Sequence, residues 1–416
     1  MADPVAAPDR RFRPRLSLAP LRSRGYRLLL VAEATSVFGD AFHAVALPWL
    51  VYQLGAGAGQ LGLILGGYGL CRLAATPLAG VLIDRVGAWR VMLISDLGRT
   101  ALTAGVAVAA LSGTRDLLVV GVLVAGVGLG AGLFEPAAYA ITPSLLPADQ
   151  LQAGNALHTT ATFAAGLAGP GIAGLLVASI SPGAAFAVDA VTFAVSACCL
   201  ALIGVHQRAA PPVIHPERAP GATRWTLVQL LRGSPLLRTV LLVTAVANLT
   251  VGGMVRVGLP SLASTELSAG AGGFGGLLAA FTSGSLAGGL LAAGMTGLAR
   301  RGRAAMISGL VLAAAVTVVP FAGYPGAVVA LVVAGISSTV TNVLVITMVQ
   351  QATPHALLGR VMSAVLFAAL GLFPVSVVVA GALVSQYGSQ VLFLTTGASL
   401  CAAFVFGLSR RAMRQR

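Results

Sequence analysis

Long apolar runs separated by short polar breaks fill the chain. They fall at about 27–53, 60–83, 91–112, 117–139, 153–180, 183–205, 237–263, 273–298, 304–323, 325–349, 357–385 and 390–409. Each is long enough to cross a bilayer core, which takes roughly 20 helical residues. Strand-like alternation is absent, and in lipid only a helix or a closed barrel satisfies every backbone group. The pattern predicts an all-α membrane protein of twelve transmembrane helices, numbered here as spans 1 to 12. The stretch before span 1 is rich in proline and arginine, and span 1 is too long for a signal-peptide core. A second break carries Pro211, Pro212, Pro216, Pro220 and Pro235 among arginines. The predicted organisation is a disordered basic tail (1–25), a six-helix bundle (26–205), a linker (206–235), a second six-helix bundle (236–409) and a basic tail (410–416).

Composition sharpens this picture. Of 416 residues, 57% are hydrophobic and 9% charged, against about 25% charged in a soluble domain; mean hydropathy is +0.92. A soluble enzyme, a disordered chain and a disulfide scaffold are excluded. Net charge is +14, and all 26 basic residues are arginine. With the N-terminus inside, 22 arginines lie in cytoplasmic segments and one, Arg115, lies outside. Three more, Arg72, Arg99 and Arg256, lie within spans. The positive-inside rule then puts both termini in the cytoplasm. The arginines form no patch interleaved with aromatics, so no nucleic-acid partner is expected. Arginine, glycine and alanine usage suits a GC-rich genome and a bacterial inner (plasma) membrane. Cys71, Cys198, Cys199 and Cys401 sit inside apolar runs without metal-ligand spacing. No metal and no cofactor is expected. Gly57-Ala-Gly59-Gln-Leu-Gly62 has dinucleotide-loop spacing, but its flanks are membrane spans rather than a βαβ unit.

An internal repeat supports two halves. Leu47-Pro48 in span 1 recurs as Leu259-Pro260 in span 7, Leu78-Ala79-Gly80 as Leu286-Ala287-Gly288, and Pro170 as Pro374. Parallel six-helix repeats around a midplane site are a known transporter plan.

Two motifs stand out. The loop Gly80-Val-Leu-Ile-Asp84-Arg85-Val-Gly87-Ala-Trp-Arg90 joins spans 2 and 3. Gly80 would permit close helix approach, and Asp84 would sit near a helix N-terminus. Span 5 carries Gly166-Leu-Ala-Gly169-Pro170-Gly171-Ile-Ala-Gly174, glycines for packing around a kinking proline. The loop resembles the signature of the major facilitator superfamily, departing from it at Ala88 and Trp89. The span 5 string resembles the Gly-Pro motif of that family's antiporters. Asp96-Leu-Gly-Arg99, Phe134-Glu135-Pro136-Ala137, Asn155-Ala156-Leu157, Phe186-Ala-Val-Asp189 and Leu358-Gly359-Arg360 together resemble the drug:proton antiporter branch of macrolide-efflux and siderophore (enterobactin-type) exporters. The resemblance implies two pseudo-symmetric bundles, a loop that latches one conformation and a Gly-Pro motif that seals the halves. It also implies export. The arginine those antiporters carry in span 4 is missing here, so coupling must use other groups.

Charges within spans are the candidates for that role, because each costs about 2.5–3.5 kcal/mol at mid-membrane on insertion scales. Glu33 and Asp40 are seven apart on one face of span 1. Asp40 and Arg72 lie about 20 and 18 Å from the cytoplasmic helix ends at 1.5 Å per residue, which suggests a buried pair. Glu33, Asp40 and Arg72 are therefore the proton-coupling candidates. Asp96, Arg99 and Glu135 are expected to form a second, structural cluster. Arg256 is expected to snorkel outward, Asp189 to meet external water, and His158 to be structural. Spans 1, 4, 7 and 10 are expected to line the substrate cavity, with Phe38, Phe42, Asn248, Thr250, Thr341, Asn342 and Thr347 as candidates.

The reading is a monomeric secondary active transporter, embedded in the lipid bilayer, that exports amphipathic small molecules such as macrolide-like drugs or secondary metabolites by alternating access, exchanging them for protons. Alternatives are an exporter of a siderophore or other single metabolite, an importer, a membrane-embedded enzyme, or a non-transporting sensor or scaffold.

Overall fold

The structure, a computed structural model, describes residues 18–114, 116–207, 234–295, 300–352 and 371–414. Every helix of the sequence pattern is found among them. They are α1 (Arg24–Gln53), α2 (Ala58–Val86), α3 (Ala88–Leu111), α4 (Leu117–Leu145), α5 (Leu151–Ser179) and α6 (Pro182–Gln207). After the linker come α7 (Pro235–Thr265), α8 (Gly270–Gly294), α9 (Arg301–Val318), α10 (Gly323–Ala352), α11 (Phe373–Tyr387) and α12 (Ser389–Ser409). Eleven are long and apolar enough to cross a membrane, and α11 is a shorter apolar helix. The start expected for span 11 and its Leu358-Gly359-Arg360 motif lie outside the described residues, as do residues 1–17, 208–233 and 415–416. The tail expected to be disordered to residue 25 is ordered where it is described, with a 3-10 turn at Ala19–Arg22 leading into α1, and the C-terminal tail forms a short helix, Arg411–Arg414.

The polarity of a soluble fold is inverted. Leu118, Leu175 and Leu290 are about 70% exposed, as lipid-facing residues must be (74%, 69% and 72%), while Glu33, His43, Asp96, Arg99 and Asp189 are buried. Lipid tails are as apolar as leucine, so helices associate through close packing of small residues and through polar contacts. A β-carbon on Gly132 would lie 2.3 Å from the Arg72 carbonyl oxygen, and one on Gly284 would lie 2.1 Å from that of Val332. These glycines join α2 to α4 and α8 to α10, the same pairing in each half.

Within residues 24–207, α1 packs on α5 and α6, α2 on α4 and α3 on α6, while α7 to α12 pack chiefly on one another. The halves meet mainly through α2 against α11 and α5 against α8. Both contacts run on glycine. Gly62 faces Gly381, and Gly174 faces Gly275, with a β-carbon on the first of each pair about 3 Å from the partner's Cα (3.0 and 3.0 Å). Trp49 of α1 also stacks on Phe274 of α8 at 5.7 Å. All three contacts lie toward the ends of the helices remote from the N-terminus, here the far end.

Asp84 corrects one expectation. It lies in the last turn of α2, near a helix C-terminus, with Gly87 alone joining α2 to α3. Gly87 has φ of 86°, a region only glycine enters without strain. Trp89, which replaces a basic residue of the family motif, donates its indole N–H to the Leu200 carbonyl and packs on Gly204 of α6.

Candidate functional site

A cavity of about 480 Å³ lies between the halves. It runs from Leu47 and Pro48 on the far side to Tyr139, Thr142 and Asn155, where Tyr139 is 74% exposed at the mouth. Its walls come mainly from α1, α2, α4 and α5, with Arg256 of α7 and Phe373 of α11 from the other half. Span 10 contributes none of the lining found among the described residues. The expected cavity residues lie elsewhere. Phe38 and Phe42 pack edge-to-face on each other, with Phe42 buried in the core. Asn248, Thr250 and Thr347 hydrogen-bond carbonyls of their own helices. Thr341 is buried and donates to the Ala305 carbonyl, and Asn342 is exposed.

Besides Tyr68 and Tyr139, eight acidic, guanidinium or imidazole side chains line this space: Glu33, Asp40, Glu135, Arg72, Arg99, Arg256, His43 and His158. Their partners differ from those the sequence suggested. Arg72 donates to Glu135 at 2.7 Å rather than meeting Asp40. Helical depth placed Arg72 and Asp40 at one level, but the rotation of α2 and α4 brings Glu135 to Arg72. Glu135 therefore leaves the expected cluster with Asp96 and Arg99. Asp96 and Arg99 do pair, one turn apart on α3, and Ser196 of α6 donates to the same carboxylate. The Arg99 guanidinium lies between the rings of Phe134 and Phe193, 4.4 and 4.3 Å from their centroids. Arg99 is thus held by a carboxylate and two aromatic faces. Glu33 pairs with His158 of α5, joining the first and fifth helices. His158 consequently belongs to the cavity wall, although its position in the sequence gave no sign of this.

Asp189 is not reached by external water. It is fully buried, and a β-carbon on Gly39 would lie 2.5 Å from its Oδ1. The nearest basic side chain is His43, whose Nδ1 lies 3.6 Å from the carboxylate. Neither the Asp189 carboxylate nor either ring nitrogen of His43 has a hydrogen-bond partner among the described residues. Gly39 lets the carboxylate approach the back of α1, while the next residue, Asp40, faces the cavity.

Arg256 does not snorkel outward. It sits in a five-residue π-helical stretch, Met254–Gly258, and is exposed to the cavity. Pro260 contributes: lacking an N–H, it cannot bond the carbonyl four residues earlier, which is that of Arg256. The chain widens so that the Leu259 N–H reaches Met254. Ser376 of α11 accepts the Gly253 N–H at 2.7 Å and steadies the bulge. The corresponding Pro48 lies inside α1, which stays α-helical. The Leu-Pro repeat was legible in the sequence, but the difference in outcome was not.

The two motifs are partly engaged. Gly169 packs on Ala41 of α1, within its own half, and Gly174 packs across to α8; Gly166 only approaches Val37, at 3.8 Å from a built β-carbon. The helix runs on through Pro170. Around Gly80 no described atom comes within 4 Å of a built β-carbon. Asp84, Arg85 and Arg90 are exposed and make no ion pair among the described residues.

Twelve apolar helices in two packed sets around a charged cavity are the architecture of a multi-pass membrane transporter. The chain belongs to the Major Facilitator Superfamily, which matches residues 29–372. Among its relatives is the multidrug efflux pump Tap of Mycolicibacterium fortuitum, 31% identical over 88% of this chain and 91% of that protein. The enterobactin exporter EntS of Shigella boydii is 28% identical over 83% of this chain and 82% of its own length. A solved bacterial homologue of the iron transporter ferroportin, in an inward-facing state, superposes with a TM-score of 0.74 at 15% identity. That structure covers 95% of this chain and is itself covered completely (100%), and at such identity the likeness concerns the fold.

Proposed function

We propose that the chain is a monomeric, proton-coupled exporter of amphipathic small molecules in the inner membrane, with both termini cytoplasmic. The observation that carries this reading is Asp40: a carboxylate deep in the molecule, exposed to the cavity, with no ion-pair partner among the described residues. Such a group can take a proton or face a cationic solute, and exchange between the two states couples one flux to the other. Apolar walls beside it (Leu47, Leu65, Val127 and Phe373) suit the rest of an amphipath. Export of drugs or a siderophore by the two relatives points the same way.

With the termini inside, the cavity opens inward and the glycine contacts of α2 with α11 and α5 with α8 close the outer face. Outward opening then requires those contacts to part and the inner ends to meet. The free loop Asp84-Arg85 to Arg90 is available as a latch for that second state. Glu33, held by His158, is a second proton site, and Arg72 tunes the cavity through Glu135. The test is accumulation of a fluorescent amphipathic cation in cells, with and without a protonophore. Expression should lower accumulation, the protonophore should restore it, and Asp40→Asn should abolish the difference. Unchanged accumulation on expression would sink the reading.

A further inference from the structure

The acidic, guanidinium and imidazole groups around the cavity fall into pairs, with two exceptions. Arg72 has Glu135, Arg99 has Asp96, His158 has Glu33, and His43 lies nearest Asp189. Asp40 and Arg256 have no ion-pair partner among the described residues, and both are exposed to the cavity. They carry opposite charge and belong to opposite halves. Arg256 is also the one ionisable residue that the C-terminal half adds to the lining described here. Its side chain is carried by the π turn that precedes Pro260, whose Met254, Val257 and Gly258 are buried against the neighbouring helices and beside which Ser376 accepts the Gly253 N–H. Short π stretches inside α-helices are frequent at functional sites. Tyr68, Asp40 and Arg72 are its electrostatic neighbours.

We propose that Arg256 binds an anionic group of the substrate, so that the preferred solute is a zwitterionic amphipath spanning from Asp40 to Arg256. A guanidinium offers a planar fork of donors that matches a carboxylate. A solute with a basic amine at one end and a carboxylate at the other supplies both missing partners, and its apolar body meets Leu47, Leu65 and Phe373. By touching both halves, it also couples occupancy to their relative motion. This rests on the cavity being the substrate site of an exporter, and it adds the solute's charge pattern.

The experiment uses the purified full chain in detergent and a matched pair of probes: a fluoroquinolone bearing an amine and a carboxylate, and its methyl ester. Wild type should bind the acid about tenfold more tightly than the ester, the size of one charge-assisted hydrogen bond. Arg256→Gln should lose the preference for the acid over the ester, and a thermal-unfolding midpoint in detergent equal to that of wild type shows that the variant is folded. Arg256→Lys, keeping charge without the fork, should retain a reduced preference and serves if R256Q does not fold. Equal binding of the two probes by wild type, or a preference that survives in R256Q, overturns the assignment. The export reading fails in a different measurement, the cellular accumulation, so the two failures are distinguishable.

Discussion

Arg99 shows why a charge inside a membrane helix need not be a transport group. Its charge is met by Asp96, its flat faces by Phe134 and Phe193, and it is 2% exposed. Removing one member of a buried pair strands the other, which typically costs about 3–5 kcal/mol. Arg99→Met should therefore lose stability of that order in chemical denaturation in detergent. The double variant Asp96→Asn/Arg99→Met should recover most of it. An R99M protein as stable as wild type would mean that Asp96 is satisfied by something else. Asp40 is the contrasting case, since its side chain faces the cavity rather than a partner. Its replacement should leave denaturation unchanged while ending the protonophore-sensitive efflux. Which residues carry charge within spans was legible in the sequence. Which of them meet was not. Depth along a helix is fixed by residue number, whereas rotation about the axis is not, and α1 to α4 are apolar almost all the way round because one face meets lipid.

At the level of elements, glycine decides where helices approach. Gly174 and Gly275 let α5 and α8 touch backbone to backbone at the far end, as Gly62 and Gly381 do for α2 and α11. A leucine at Gly174 would occupy space now filled by the Ala271 carbonyl, 2.9 Å from the β-carbon position. Gly174→Leu should hold the far ends apart: spin labels on the far ends of α5 and α8 should show a longer distance, and efflux should fall. Unaltered distances would show that the contact is not part of the seal. The Gly-Pro motif was visible in the sequence, but its division of labour was not. Gly169 serves packing within the N-terminal half, while Gly174 and the Pro170 carbonyl reach across to Gly275, because different positions of one helix face different neighbours. α7 makes the same point through its backbone, where a π bulge before Pro260 interrupts a regular span and carries Arg256.

For the molecule as a whole, the arrangement is one of two bundles in contact at the far end, with a polar chamber opening at the other. Rocking about the chamber would exchange these contacts for new ones near the Asp84 loop. The proposed orientation rests on the arginines, since positively charged loops favour the cytoplasmic side. A fluorescent-protein fusion at the C-terminus should be bright, and an alkaline phosphatase fusion there should be inactive in intact cells. The reverse result would invert the inner and outer assignments and with them the direction of transport. Such fusions read the side of the membrane directly, independently of any substrate.

The sequence alone determined that the chain is a bundle of membrane-crossing helices, where nearly all of them begin and end, and which strings resemble the superfamily's loop and Gly-Pro motifs. Hydrophobic length, turn residues and arginine placement are local properties, and the bilayer converts them into topology with little freedom. Only the tertiary structure decided the partners of Arg72, Glu33 and Asp189, the facing of Arg256, and the makeup of the cavity wall. Those depend on how each helix is turned about its own axis, and in a chain apolar on nearly every face that angle is settled by glycine contacts and backbone irregularities between segments far apart in sequence.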